Sequence, residues 1–136
     1  MSSFELDPRL SADTYPVLEL PLCAVRLMKD ANYPWLVLVP RRRDLIELID
    51  LEGDDRAQLM AEIALASEAL RAETDCQKLN VAALGNQVSQ LHVHVIARNQ
   101  DDAAWPNPVW GFAPATRYDE GRRDHLISAL IDRLSG

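Results

Sequence analysis

Five apolar residues, Trp35-Leu36-Val37-Leu38-Val39, stand between Pro34 and Pro40. Proline interrupts a helix, and the run is short and rich in branched side chains. It therefore reads as a buried strand rather than a helix. A strand of that kind needs a sheet around it and another layer against it. The segment 19–30, ELPLCAVRLMKD, reads as a second strand that ends in the polar turn Lys29-Asp30-Ala31-Asn32. The short polar link between them predicts a hairpin.

Residues 55–74 predict the clearest helix. Asp54 or Asp55 can cap it, and no Gly or Pro interrupts it. Leu59, Ile63, Ala66 and Leu70 form its apolar stripe, with Glu62, Arg71 and Glu73 largely elsewhere. Ala57, Ala61, Ala64 and Ala72 permit close packing against another helix. Residues 79–84 (LNVAAL) read as a third core strand and 91–98 (LHVHVIAR) as a fourth. A loop rich in proline and tryptophan follows. A last helix over 119–134 carries Leu126, Ile127, Leu130, Ile131 and Leu134 on its apolar face. Residues 1–16 show no clear pattern. Paired strands with interspersed helices predict an α+β fold with a mainly antiparallel sheet, one long helix and a C-terminal helix. The helices are expected on one face, leaving the other free for a site.

At 136 residues the chain fits one domain, 1–136, with a core over about 18–100 and a C-terminal loop and helix over 101–136. The net charge of −7 argues against non-specific nucleic-acid binding, though not against a small anion held in a local site. Arg41, Arg42 and Arg43 read as a solvated strand end or, alternatively, as a positive rim for an anionic ligand. Cys23 and Cys76 form no C-x-x-C pair, and two buried reduced thiols fit a cytoplasmic protein. The N-terminus has no basic stretch followed by an apolar one, so no secretory signal is expected, and no apolar run is long enough to span a membrane.

Two of the three histidines, His92 and His94, lie two positions apart. On a strand they share a face, and Gln90 with them, while Leu91, Val93 and Val95 take the other. Such a pair has three common uses: a structural hydrogen-bonded pair, two ligands of a metal, or a nucleophile with its helper. A metal needs further ligands, and His125 on the last helix is the only other histidine. No metal or other cofactor is expected. The preceding loop, 85–90 (GNQVSQ), offers a glycine and short polar side chains that can present donors to an anion. An anion held there beside His92 suits in-line attack on phosphorus by a neutral imidazole.

The stretch 79–98, LNVAALGNQVSQLHVHVIAR, resembles the signature of the histidine triad (HIT) superfamily, in which three histidines alternate with apolar residues after a polar, glycine-containing loop. Gln90 stands where the first histidine would be, and His92 and His94 match the second and third. YPWLVLVPRR and ELIDL before the long helix also resemble the family's pattern, so the likeness spans about 18–100. The resemblance implies an α+β homodimer that binds a nucleotide and cleaves at its α-phosphorus, with no membrane or nucleic-acid partner. His92 matches the nucleophile and His94 its support. Gly85, Asn86 and Gln87 match the phosphate loop, and Asn80 lies near a position that orders it. Trp105 or Trp110 resembles the aromatic that reaches the site from the C-terminal region.

Two departures stand out. Gln90 cannot shuttle a proton near neutral pH, although it can hydrogen-bond a phosphate oxygen or leaving group. The family's ribose-binding acidic or amide residue aligns with Leu27 or Met28, while Asp30 falls in the turn. The expected activity is hydrolysis of a dinucleoside polyphosphate or nucleoside phosphoramidate through a nucleotidyl-histidine. The alternative is a non-catalytic nucleotide-binding regulatory dimer.

Overall fold

The structure is a computed structural model and describes residues 4–136. Strands β1 (Thr14–Glu19), β2 (Cys23–Met28), β3 (Trp35–Pro40), β4 (Lys78–Ala82) and β5 (Val93–Arg98) form one sheet. Its order is β1-β2-β3-β5-β4, and every neighbouring pair is antiparallel. Helices α1 (Pro8–Asp13), α2 (Gly53–Thr74) and α3 (Glu120–Ser135) complete the α+β architecture. The expected hairpin is present, with Cys23 opposite Pro40 and Leu27 opposite Leu36. Its turn closes on Asp30, whose carboxylate accepts from the Asn32 N–H at 3.0 Å. Both α1 and β1 fall within or beside the N-terminal stretch that carried no clear sequence pattern.

The central strands β3 and β5 are buried along their whole length. Leu36, Leu38, Val93, Val95 and Ala97 join Leu59, Ala66 and Leu70 of α2 and Leu130 and Leu134 of α3 in one core. Each fully buried leucine there contributes roughly 2 kcal/mol from area removed from water. The opposite face is not open, contrary to the expectation from the helix pattern. Trp35, Val37, Val39 and Ile96 pack there against Leu10, Ala104 and Val109, with Phe4 and Leu6 at the edge. The N-terminal segment and the loop after β5 form this second layer. Coverage from both sides is why β3 reads as an unbroken apolar run.

Three further expectations change. Glu62 is not on the solvent side of α2 but only 2% exposed. Its two oxygens accept from the Leu22 and Cys23 backbone N–H groups at 2.9 and 2.8 Å. Those donors stand just before and at the first residue of β2 and are buried, so the Glu62 carboxylate satisfies them. Next, β4 is an edge strand with no fully buried residue rather than a core strand, and Val81 is half exposed. Finally, Cys23 is buried but Cys76 only half-buried; both are unbridged. Burial and the Glu62 carboxylate push the Cys23 thiol pKa well up, so it stays a protonated core group. Among the described residues no helix is long and apolar enough to cross a membrane.

Candidate active site

The site lies where β5 begins. Strand β5 starts at Val93, so His92 is the last residue before the ladder and His94 the second residue within it. His94 sits opposite Val37 of β3 and Ala82 of β4. Alternation turns Val93 and Val95 to the helices and leaves His94 on the face of Trp35. Both histidines are nearly inaccessible, at 6% and 4% exposed. Their rings meet edge-on, with centroids 4.9 Å apart.

Hydrogen bonding determines which ring nitrogen is available. His92 Nδ1 lies 2.7 Å from the Gln90 carbonyl oxygen, which only accepts. Nδ1 is therefore a donor, and in the neutral ring the lone pair falls on Nε2. The Trp35 indole Nε1–H donates to His94 Nδ1 at 2.9 Å. An indole only donates, so His94 holds its own proton on Nε2 and offers a donor there. Burial, with the neighbouring His92, pulls the His94 pKa down from 6.5 to about 4. At neutral pH His94 is an uncharged hydrogen-bond donor. Trp110 closes the other side, its ring 5.0 Å from His94 and 5.7 Å from Trp35.

A cleft of about 490 Å³ opens beside these rings. His92, His94, Trp35 and Trp110 line it together with Gly85, Asn86 and Gln87. Gly85 has φ of +75°, a left-handed conformation that a side chain would strain, and it lets the loop turn its backbone toward the cleft. Leu10, Asp13 and Met28 also line the cleft. A second cleft of about 460 Å³ shares Leu84, Gly85 and His92 with the first and is otherwise mainly apolar, lined by Ile46, Leu48 and Ile49.

Of the residues singled out from sequence, Gly85, Asn86, Gln87, His92, His94 and Trp110 are thus brought together. Others stand apart. The Gln90 amide does not share the histidine face: Nε2 donates to the Glu5 carbonyl and Oε1 accepts from the Asp7 N–H, each at 2.8 Å. The pairing expected of a continuous strand fails because Gln90 precedes β5 and follows no pleat. Asn80 does not reach the loop either. Its Oδ1 accepts from Arg98 Nη1 at 2.9 Å. Arg98 is buried, ion-paired to Asp102 at 2.7 Å and stacked under the Trp105 ring at 5.6 Å, so Trp105 belongs to that structural network. Burial resists ionisation of Asp102, but Arg98 and the N–H groups of Asn99, Trp105 and Ala104 outweigh it and hold the carboxyl down to about 2. Leu27 points into the helix-side core, whereas Met28 lines the cleft. Arg41 bonds the Leu20 carbonyl, Arg42 pairs with Asp55, and no Lys or Arg lines either cleft among the described residues. His125 lies on α3 in a separate surface depression.

Sequence reasoning missed Trp35, Leu10 and Asp13. Trp35 shares a strand face with Val37, which pairs with His94, so alternation would place it correctly once the β3–β5 register were known. Asp13 carries no comparable signal, because it lies in the unpatterned N-terminal stretch.

The fold, the histidine pair and the polar loop define a small class of α+β proteins. Residues 9–101 match the HIT domain, and the chain belongs to the HIT family. It is similar over nearly all its length to solved histidine triad proteins. One from Bradyrhizobium japonicum is 53% identical, with a TM-score of 0.95, covering 96% of this chain and 98% of that one. One from Sinorhizobium meliloti is 44% identical, with a TM-score of 0.95 and 98% coverage of both chains. One from Marinobacter aquaeolei is 42% identical, with a TM-score of 0.94, covering 97% of this chain and 96% of that one. None of the curated proteins compared with the chain matches it.

Proposed function

We propose that this protein is a nucleotide hydrolase that cleaves at the α-phosphate through a nucleotidyl-His92 intermediate. The observation that carries the reading is the bond from His92 Nδ1 to the Gln90 carbonyl, which in the neutral ring puts the lone pair on Nε2, with the loop of Gly85, Asn86 and Gln87 lining the same cleft. In the first step Nε2 attacks the α-phosphorus, a P–N bond forms, and the bond to the leaving group breaks with its electron pair on that group. Asn86 and Gln87 with the Gly85 turn stabilise the charge on the phosphoryl oxygens, and neutral His94 supports them as a donor from Nε2. Water then attacks phosphorus: an O–P bond forms, the P–N bond breaks with its electron pair on Nε2, a proton from the water passes to solvent, and the nucleoside monophosphate leaves a neutral imidazole. The Gln90 amide is occupied elsewhere and supplies no proton, so the reaction favours leaving groups that depart as weak bases or already protonated.

The lining narrows the substrate. Cleft volume falls within the roughly 300–1,000 Å³ of small-ligand sites. The absence of a lining cation, among the described residues, suits one phosphate better than a chain of them. A monophosphate derivative whose leaving group departs as a weak base or already protonated, such as an N-protonated nucleoside phosphoramidate, therefore fits better than a dinucleoside polyphosphate. Among the described residues Asp13 is the one carboxylate, and no Lys or Arg accompanies it, in the lining of the main cleft. A carboxylate repels phosphate and accepts from hydroxyls, so the sugar fits beside Asp13 and the phosphate beside the loop.

A second reading, a nucleotide-binding regulatory dimer without turnover, is favoured by one observation: the first triad position contributes no polar atom to the cleft. Brief incubation with adenosine phosphoramidate and intact-mass measurement separates the two. An adenylyl adduct or released AMP with wild type but not with His92→Ala supports the hydrolase. AMP binding with neither product selects the regulatory reading.

A homodimer fits the exposed apolar side chains. Among the described residues the outer edge of β4 has no neighbouring strand, and Val81, Met60 and Leu65 stand exposed on β4 and α2. Sedimentation equilibrium of wild type beside Val81→Lys tests this: the expected result is a dimer that the substitution weakens.

A further inference from the structure

The side chain at the first triad position does a different task from its neighbours. Gln90 grips residues 5–7 with both ends of its amide, across 85 and 83 positions of sequence. The gripped residue Asp7 is also the cap of α1: its carboxylate accepts from the Arg9 N–H at 2.8 Å and its carbonyl from the Ser11 N–H at 3.0 Å. The clamp thus fixes the start of a helix only six residues long, whose later residues Leu10 and Asp13 wall the cleft. Phe4, Leu6 and Leu10 pack on the same layer as Trp35. So short a helix has little stability of its own, and its position depends on what holds its ends. The main chain of Gln90 meanwhile orients His92. One residue connects the nucleophile to the segment that supplies Leu10 and Asp13 to the same cleft. Planar amide geometry suits this, since one terminal carbon carries both a donor and an acceptor aimed at a single backbone stretch.

We propose that Gln90 is a positioning residue that moors residues 4–13 as the nucleoside-side wall of the cleft, so that its amide governs ligand affinity rather than the chemical step. The affinity half rests on the nucleotide reading above; the mooring does not.

The test compares the full-length wild type with Gln90→Ala, which loses both bonds, and Gln90→Glu, which keeps the acceptor for Asp7 but loses the donor to Glu5. Hydrogen exchange over residues 4–13 reads the mooring. AMP titration calorimetry, with KM and kcat on adenosine phosphoramidate, reads the cleft. For Gln90→Ala, exchange over 4–13 accelerates while β5 stays protected. The AMP Kd and the KM rise by at least about fivefold and at most about thirtyfold, the ceiling set by losing two hydrogen bonds of ordinary net strength. The kcat changes less than twofold, because the main-chain contact to His92 survives. Gln90→Glu falls between. A fall in kcat with unchanged KM would place Gln90 at the reacting atoms and overturn the proposal. Unchanged exchange refutes the mooring. Faster exchange with unchanged Kd refutes the link to the ligand. A wild type that takes up no adenosine compound sinks the nucleotide reading and the affinity half together, and exchange alone then decides the mooring.

Discussion

Lowering the pH below neutrality sets the unfolded chain and the folded site in competition for one proton at His94. In the unfolded chain the imidazole titrates near 6.5, and in the fold burial and His92 bring it to about 4. Above 6.5 both states are neutral and His94 makes no difference to stability. Between 6.5 and about 4 the unfolded state takes the proton and the folded state refuses it, so stability falls by about 1.4 kcal/mol per pH unit. The total loss is about 3 kcal/mol, a large share of the 5–15 kcal/mol typical of a domain. Below about 4 the folded site protonates too, at the cost of the Trp35 bond, because Nδ1 can no longer accept. Urea unfolding of wild type and His94→Asn at half-unit pH steps measures the difference. The variant should lose the slope between 6.5 and 4. NMR titration of the His94 ring should give a folded pKa near 4. A ring that titrates near 6.5 in the folded protein, or equal slopes in both proteins, would refute the reasoning from burial.

Asp102 produces a separate acid limb. Its carboxyl is near 2 in the fold against an ordinary 3.8, so about 2 kcal/mol present above pH 4 is lost as the pH falls toward 2. That limb should persist in His94→Asn and vanish in Asp102→Asn. Arg98→Ala, which strands Asp102 in a buried setting, should cost about 3–5 kcal/mol in urea unfolding, with Tyr33 and Trp105 losing their stacked cation as well. Glu62→Ala leaves two buried N–H groups at the start of β2 unpaired and should cost about 3 kcal/mol, while Glu62→Gln, which keeps an acceptor, should cost less than half of that by the same measurement. Gly85→Ala meets no atom nearer than 3.8 Å, so its effect comes from the positive φ alone: about 1 kcal/mol in stability and a weaker AMP affinity by calorimetry.

Local patterns in the chain were enough for the elements around the site. Pro-bracketed Trp35–Val39, the alternation of 91–98 and the stripe Leu59-Ile63-Ala66-Leu70 each report a period or a stop that depends on nearby residues alone. The histidine pair and the loop 85–87 were legible for the same reason: their spacing along one short segment brings them to one place, and they line one cleft. What joins them to the rest was not legible. The indole that orients His94 comes from 59 positions away, and which residue of β3 faces it depends on a register that no single strand encodes. Glu62 looked like a solvent-facing charge until β2 presented two unpaired donors to it. Asn80 and Gln90 looked like site residues by position, yet an amide bonds whichever partner the fold brings nearest. For Asn80 that is Arg98, and for Gln90 it is the backbone of the N-terminal segment. The meeting of His92, His94 and the loop was written in the sequence; the N-terminal lining of their cleft was decided by long-range hydrogen bonds, which leave no period to read.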